Sequence, residues 1–241
     1  MRVPRIFVDS TLHTGLSLAL DARAAQHVGQ VLRLRPGAEL VLFDGSGCDY
    51  AAVLERCDRR ACQARVGERL GEEAEPALTI ALGIGISRGE RMDFAIQKAV
   101  ELGVSGITPL QTARSVVQLD AGRMERRLQH WRGVLLGACE QSGRSRLPEL
   151  ETPVDLGTWL DRCDGGLVLY HRAEATLAVL PAPAGRVNLL IGPEGGLDPA
   201  ELAQAQARSL VPVRLGPRVL RTETAPLAAI AAIQALWGDF R

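Results

Sequence analysis

Beyond residue 77 the chain repeats one pattern, a short stretch that is apolar at nearly every position followed by a longer one with apolar residues at helical spacing. The short stretches are LTIALGIGI (78–86), ITPL (107–110), GLVLY (166–170), VNLLI (187–191) and VPVRLG (211–216). Between them, GERMDFAIQKAVEL (89–102) places Met92, Ile96, Ala99 and Val100 on one helical face, with Gly103 as its stop. An arginine-rich helix is expected over about 121–141, another over 198–207 with Asp198 as N-cap, and a closing helix from Ala225 to Trp237. Strands apolar on both sides must be covered on both sides, and alternation with helices joins them in parallel. The expected fold class is therefore α/β, a mostly parallel sheet with helices on both faces.

The first 70 residues read differently. RIFV (5–8), ELVLFD (39–44), YAAVLERC (50–57) and ACQARVGERL (61–70) are short β segments separated by turn signals at Pro36-Gly37 and Gly45-Ser46-Gly47. One helix interrupts them, with Asp21 as N-cap and Ala24, Ala25, Val28, Val31 and Leu32 at helical spacing. Short strands with a single helix suggest a small barrel that serves as a binding module. GEEAEP (71–76) reads as a linker, so domains are expected at 1–71 and 77–241.

With 46% hydrophobic and 23% charged residues in 241, the composition is that of a folded globular chain. Its uncharged runs fall short of the roughly 18 apolar residues of a membrane span. The N-terminus carries charge and proline where an export signal needs an apolar core, so a cytoplasmic location is expected. Five cysteines without a C-x-x-C pair point to reduced structural thiols, neither a disulfide framework nor a metal site.

Twenty-eight basic residues balance 28 acidic ones, but Lys98 is the only lysine. Arginine suits bidentate phosphate contacts and stacking on bases, and its clustering over 114–146 and 208–221 lets a neutral chain present basic faces to a polyanion.

Ligands of open α/β sheets bind beyond the carboxyl ends of strands, which directs attention to the loops there. Gly192-Pro193-Glu194-Gly195-Gly196 follows VNLLI and offers close backbone approach beside one acid, in a pattern that matches neither a dinucleotide nor a P-loop motif. Leu215 to Ala225 places Arg218, Arg221, Glu223 and two threonines before the last helix. Thr222 or Thr224 would cap that helix, but Arg221 is a cation at its positive end, favourable only where it meets an anion. Gln141, Ser142 and Arg144 end the arginine-rich helix with groups that hold phosphates or bases. Arg88 and Arg91 flank a helix N-terminus, a ready anion site.

These residues carry a resemblance. GERMDFAIQKAVELGV (89–104), ACEQSGR (138–144), LLIGPEGGL (189–197) and LGPRVLRTETA (215–225), in this order, resemble the RsmE family of 16S rRNA uracil-N3 methyltransferases, of the SPOUT class. RIFV, His27 with VLRLRPG (31–37), and DGSGCDY (44–50) extend the likeness over nearly the whole chain, with Arg88 where the family commonly has lysine and Val100 where a small hydroxyl residue is common.

The resemblance implies a PUA-like RNA-binding barrel before a sheet whose end is tied in a trefoil knot around S-adenosylmethionine, in a homodimer with the active site at the subunit interface. It implies cofactor contacts from Leu169, His171, Ile191, Gly192, Pro193, Glu194, Gly195, Gly196, Leu215, Gly216, Val219, Leu220, Thr222 and Ala225. Arg5, His27, Arg33, Arg88, Arg91, Arg114, Gln141, Ser142 and Arg144 are expected to contact 16S rRNA, within the 30S subunit, and no metal or membrane is expected. Uracil N3 is protonated at neutral pH, so its methylation needs a base or a cation that stabilises the developing anion. Glu194 and Glu223 are the candidate bases and Arg221 the preferred cation. Two alternatives remain at this level, a related enzyme acting on another RNA position and a non-catalytic RNA-binding protein of ribosome assembly. The second would have no need of S-adenosylmethionine.

Overall fold

A computed structural model describes residues 3–58, 61–115 and 121–240. The chain divides into two compact units, Met1–Glu75 together with Cys139–Leu147, and Pro76–Ala138 together with Pro148–Arg241.

In the first unit, β1 (Arg5–Phe7), β2 (Ser17–Ala19), β3 (Glu39–Phe43), β4 (Cys48–Cys57) and β5 (Cys62–Glu72) form a sheet in the order β1-β3-β4-β5-β2. The β1–β3 pairing is parallel and the others antiparallel. Helix α1 (Ala22–Gln26) starts where the Asp21 carboxylate accepts the Ala24 N–H at 2.8 Å, then widens into a π-helical turn over His27–Val31. Alternate strand residues (Ile6, Leu40, Leu42, Leu54, Ala64, Val66) meet Ala24 and Val28 in one apolar core.

Cys57 and Cys62 face each other across β4 and β5 and are disulfide-bonded, which corrects the expectation of reduced thiols throughout. Their spacing belongs to a hairpin register, which no cysteine motif announces. The pair packs against Gly29 of the π-helical turn, where a Cβ would lie 3.1 Å from the Cys57 sulfur.

The segment Cys139–Leu147, which the sequence assigned to the second domain, completes this first unit. Glu140 accepts the Phe7 N–H at 3.0 Å and pairs with Arg23 at 2.9 Å. Glu73 accepts the backbone N–H groups of Ser145 and Arg146 at 2.5 and 2.7 Å. The attachment is made by polar partners distant in sequence, so hydrophobic periodicity could not reveal it.

The second unit runs β6 (Thr79–Gly85), α2 (Glu90–Glu101), β7 (Gly106–Gln111), α3 (Ala121–Ser142, its last turn in the first unit), β8 (Glu149–Leu150), β9 (Val154–Asp155), α4 (Leu156–Leu160), β10 (Gly166–Leu169), β11 (Arg186–Ile191), α5 (Pro199–Ala207), β12 (Leu210–Val213) and α6 (Thr224–Trp237). Every pairing in its sheet is parallel, in the order β12-β10-β11-β6-β7-β8, with β9 also on β7. This is the expected α/β architecture. The sequence missed β2, β8, β9 and α4, each too short to display a period.

Gly83 opens one sheet face to α4, since a Cβ there would lie 2.7 Å from the Trp159 ring. Trp159 and Leu160 of α4 and Ala205 of α5 pack there with Leu110, Val168 and Leu190. Helices α2 and α6 pack together, joined where buried Gln234 donates to the Leu102 carbonyl at 3.1 Å. Helix α5 starts with a capping box, in which Asp198 accepts the Glu201 N–H at 2.7 Å and Glu201 accepts the Asp198 N–H at 2.9 Å. Among the described residues no helix is long and apolar enough to cross a membrane.

Candidate functional site

Strands β10, β11 and β12 are parallel neighbours, so the loops leaving their carboxyl ends emerge on one edge of the sheet. The first and third loops are tied by Tyr170 N–H to the Val213 carbonyl at 2.9 Å and Arg214 N–H to the Ala175 carbonyl at 3.0 Å. Leu169 and Ile191 are strand ends, and His171 is exposed with its ring edge-on to Tyr170. The second loop crosses close under β6, because a Cβ on Gly85 would lie 2.5 Å from Pro193. Gly192 is equally confined, 2.8 Å from the Leu197 nitrogen by the same measure.

Gly196 (φ +67°) and Gly216 (φ +78°) adopt a backbone conformation that side chains rarely take, and no atom lies within 4 Å of where a Cβ would stand on either. Two loops thus present bare backbone to open space. Leu215 and Leu220 are half-buried beside it, while Val219 is 75% exposed. Thr222 is buried, and the Ala225 N–H bonds the Arg221 carbonyl at 2.9 Å. Neither threonine caps α6. Glu223 occupies the N-cap position without a capping side-chain hydrogen bond, so the expected threonine cap is corrected.

The electrostatics divide the charged residues into committed and free. One Glu194 carboxylate oxygen accepts the Arg88 N–H at 3.1 Å and Arg91 Nη1 at 3.3 Å. Partial burial raises this carboxyl, but the hydrogen bonds from the backbone of Arg88 and of Glu194 itself and from Arg91 outweigh it and hold the group below its ordinary pKa. The anion site foreseen at Arg88 and Arg91 therefore has Glu194 as a resident anion. Arg91 Nε also stands 4.0 Å from Glu223. Arg114 donates to the Gly195 carbonyl at 2.9 Å. Arg221 is exposed, with no side-chain partner among the described residues.

In the first unit Arg5, expected on RNA, is held by Asp49, the Ser145 hydroxyl and the Arg144 carbonyl, with its guanidinium 4.9 Å from the Phe43 ring centre. Arg144 is largely buried, its Nε 3.8 Å from Glu73. The Ser142 hydroxyl is buried without a hydrogen-bond partner, and Gln141 is exposed. His27 is half-buried in the π-helical turn, and Arg33 is exposed with φ +54°.

Sequence reasoning did not single out Glu201, which besides capping α5 accepts the Ala113 N–H at 2.7 Å and so steadies the Arg114 loop. The Asp198-x-x-Glu201 spacing was its available signal. Burial raises the thiols of Cys139 to about 12 and Cys163 to about 11, which keeps them protonated. Among the described residues no group of three or more histidine, cysteine or acidic side chains could hold a metal ion.

Residues 74–234 match the model of an RNA methyltransferase domain and residues 20–67 that of an RNA methyltransferase PUA domain. Ribosomal RNA small subunit methyltransferase E of Mycobacterium bovis is 36% identical over 239 residues, covering 95% of this chain and 90% of its own. The protein of that name from Neisseria gonorrhoeae, solved bound to S-adenosylmethionine, is 37% identical with a TM-score of 0.92 over 100% of both chains. A Legionella pneumophila protein solved with the same cofactor is 38% identical, with a TM-score of 0.96 over 100% of both chains.

Proposed function

This chain belongs to the ribosomal RNA small subunit methyltransferase E family, and from that membership we propose that it transfers a methyl group from S-adenosylmethionine to N3 of one uridine in 16S rRNA. The observation that carries the reading is the bare backbone of Gly196 and Gly216 on one sheet edge, in a site that also includes Arg221, whose side chain has no partner among the described residues.

The loop residues Leu169, His171, Ile191 to Gly196, Leu215, Gly216, Val219, Leu220, Thr222 and Ala225 would hold the cofactor. When bound, S-adenosylmethionine supplies an electrophilic methyl group on a sulfonium centre. The protein's own task is to make N3 a nucleophile. Arg221 offers two or more N–H donors to a uracil oxygen as negative charge develops on the ring, an interaction that strengthens in the transition state. Of the two candidate carboxylates Glu223 is the one to take the N3 proton, since Glu194 already accepts two hydrogen bonds. No metal ligand set is required for this chemistry.

Arg33 and His27 of the first unit are solvent-accessible RNA contacts, whereas Arg5 and Arg144 act by holding that unit together. Nucleoside mass spectrometry of small-subunit rRNA from a strain lacking the gene should show loss of N3-methyluridine, restored by the wild-type gene. An unchanged N3-methyluridine content, or wild-type protein that fails to bind S-adenosylmethionine in calorimetry, would refute the reading.

A further inference from the structure

We infer that Arg91 and Glu194 form a clasp that fixes the glycine-rich loop after β11, so that Arg91 is a positioning residue for the cofactor and Glu194 is not the acceptor of the uridine proton. The inference rests on the reading of these loops as the cofactor site.

Glu194 reaches back to the start of α2, a 12-residue helix whose N-cap is Gly89, a residue without a side chain to cap it. The helix dipole favours an anion near that end, and the carboxylate takes a hydrogen bond from the Arg88 N–H, one residue before the N-cap. Its Oε1 receives both Arg88 N–H and Arg91 Nη1. The same Arg91 guanidinium extends toward Glu223 of the third loop, at 4.0 Å, so one side chain spans the second and third loops.

From another direction Arg114, in the loop after β7, grips the neighbouring Gly195 carbonyl at 2.9 Å. Residues 194 and 195 are thus pinned by loops from β6 and β7, while Gly196 beside them is left open. Such a loop is preorganised to meet a ligand with its backbone. A carboxylate oxygen that already accepts two hydrogen bonds is correspondingly poor at taking a proton from a substrate.

The test uses full-length protein, with calorimetric binding of S-adenosylmethionine, filter binding of 30S subunits and single-turnover methylation at saturating cofactor. Arg91→Ala and Glu194→Ala should each raise the cofactor Kd about tenfold, and the double variant no further than the worse single, because both remove one interaction. Affinity for 30S subunits should stay within about twofold, and Arg91→Lys should recover part of the loss. Glu194→Gln keeps an acceptor oxygen but loses the charge that pairs with Arg91, so it should weaken cofactor binding less than Glu194→Ala does, and at saturating cofactor its single-turnover rate should fall by less than about tenfold, short of the loss of a general base.

Three results beyond unaffected variants would overturn the clasp. They are additive losses in the double variant, an Arg91→Ala that weakens 30S binding with cofactor affinity intact, and a Glu194→Gln that loses a hundredfold in turnover at full occupancy. Wild-type protein without cofactor binding defeats the underlying reading; wild-type binding with unaffected variants defeats the clasp alone. Circular dichroism melting of each variant separates a loop effect from unfolding.

Discussion

In the first unit the Arg5 side chain is only 9% exposed and its guanidinium is shared among a carboxylate, a hydroxyl, a carbonyl and an aromatic face. In the second, Arg221 stands exposed at the start of α6 with no side-chain partner among the described residues. Both are arginines in basic sequence, and both read equally well as ligand contacts. The difference is commitment. A desolvated guanidinium that loses its partners leaves buried charge behind, whereas one without protein partners can wait for an anion that forms only during the reaction. Arg91 and Arg114 lie between these limits, half-exposed or exposed yet already engaged by Glu194 and Gly195.

The strongest way to break this contrast is Arg221→Ala, which should lower single-turnover methylation by about a hundred- to a thousandfold while sparing cofactor and 30S affinity. A defect confined to 30S binding would make Arg221 a docking residue like those expected of the first unit. Arg5→Ala should act on stability, removing about 3 kcal/mol because Asp49 loses its ion partner. That corresponds to a fall of roughly 6–12 °C in the melting transition of a chain this size, and an unchanged melt with weakened 30S binding would place Arg5 on the RNA after all.

Gly195→Val tests the intermediate class. A Cβ at Gly195 would lie 3.0 Å from the Arg114 Cβ, so the branched side chain should displace Arg114 and weaken cofactor binding about tenfold with little loss of melting temperature.

The smallest effect concerns pH. Glu194 is depressed in the folded protein, so the stabilisation from its ionised form is complete above the ordinary carboxylate range and is lost only as pH falls through its lowered value. With the Arg88 N–H and Arg91 Nη1 on one of its oxygens, this carboxyl should add no pH dependence to cofactor affinity above the ordinary carboxylate range. A calorimetric break near pH 6 that persists in His171→Ala and disappears in Glu194→Gln would show that the carboxyl is raised rather than lowered.

What the sequence disclosed follows from the range of the forces involved. The apolar strands from Thr79 onward, the helix over Glu90–Glu101 and the Asp198 cap are local patterns, and the rule that ligands gather at carboxyl strand ends turned them into the three loops. Which arginine meets which carboxylate is not local. Arg5 finds Asp49 and Ser145, and Glu194 finds Arg88, across 44, 140 and 106 residues that carry no periodic signal. The cross-strand Cys57–Cys62 bond depends on hairpin register, and the two-residue strands β8 and β9 are shorter than any pattern that could announce them.

The first unit needs residues Cys139–Leu147 to satisfy Phe7, Arg23 and Glu73, and this has a temporal consequence on the ribosome. Its sheet strands are all synthesised by Glu72, but the segment that completes it follows some 70 residues later, about 4 to 14 s at a synthesis rate of ~5–20 residues per second. Until then the nascent unit has an unfilled seat, and most of the sheet of the second unit has not yet been made. Folding of the first unit is thereby postponed until part of the second has been synthesised. Arrest peptides that report pulling force should register the first unit's collapse only after Leu147 has cleared the exit tunnel.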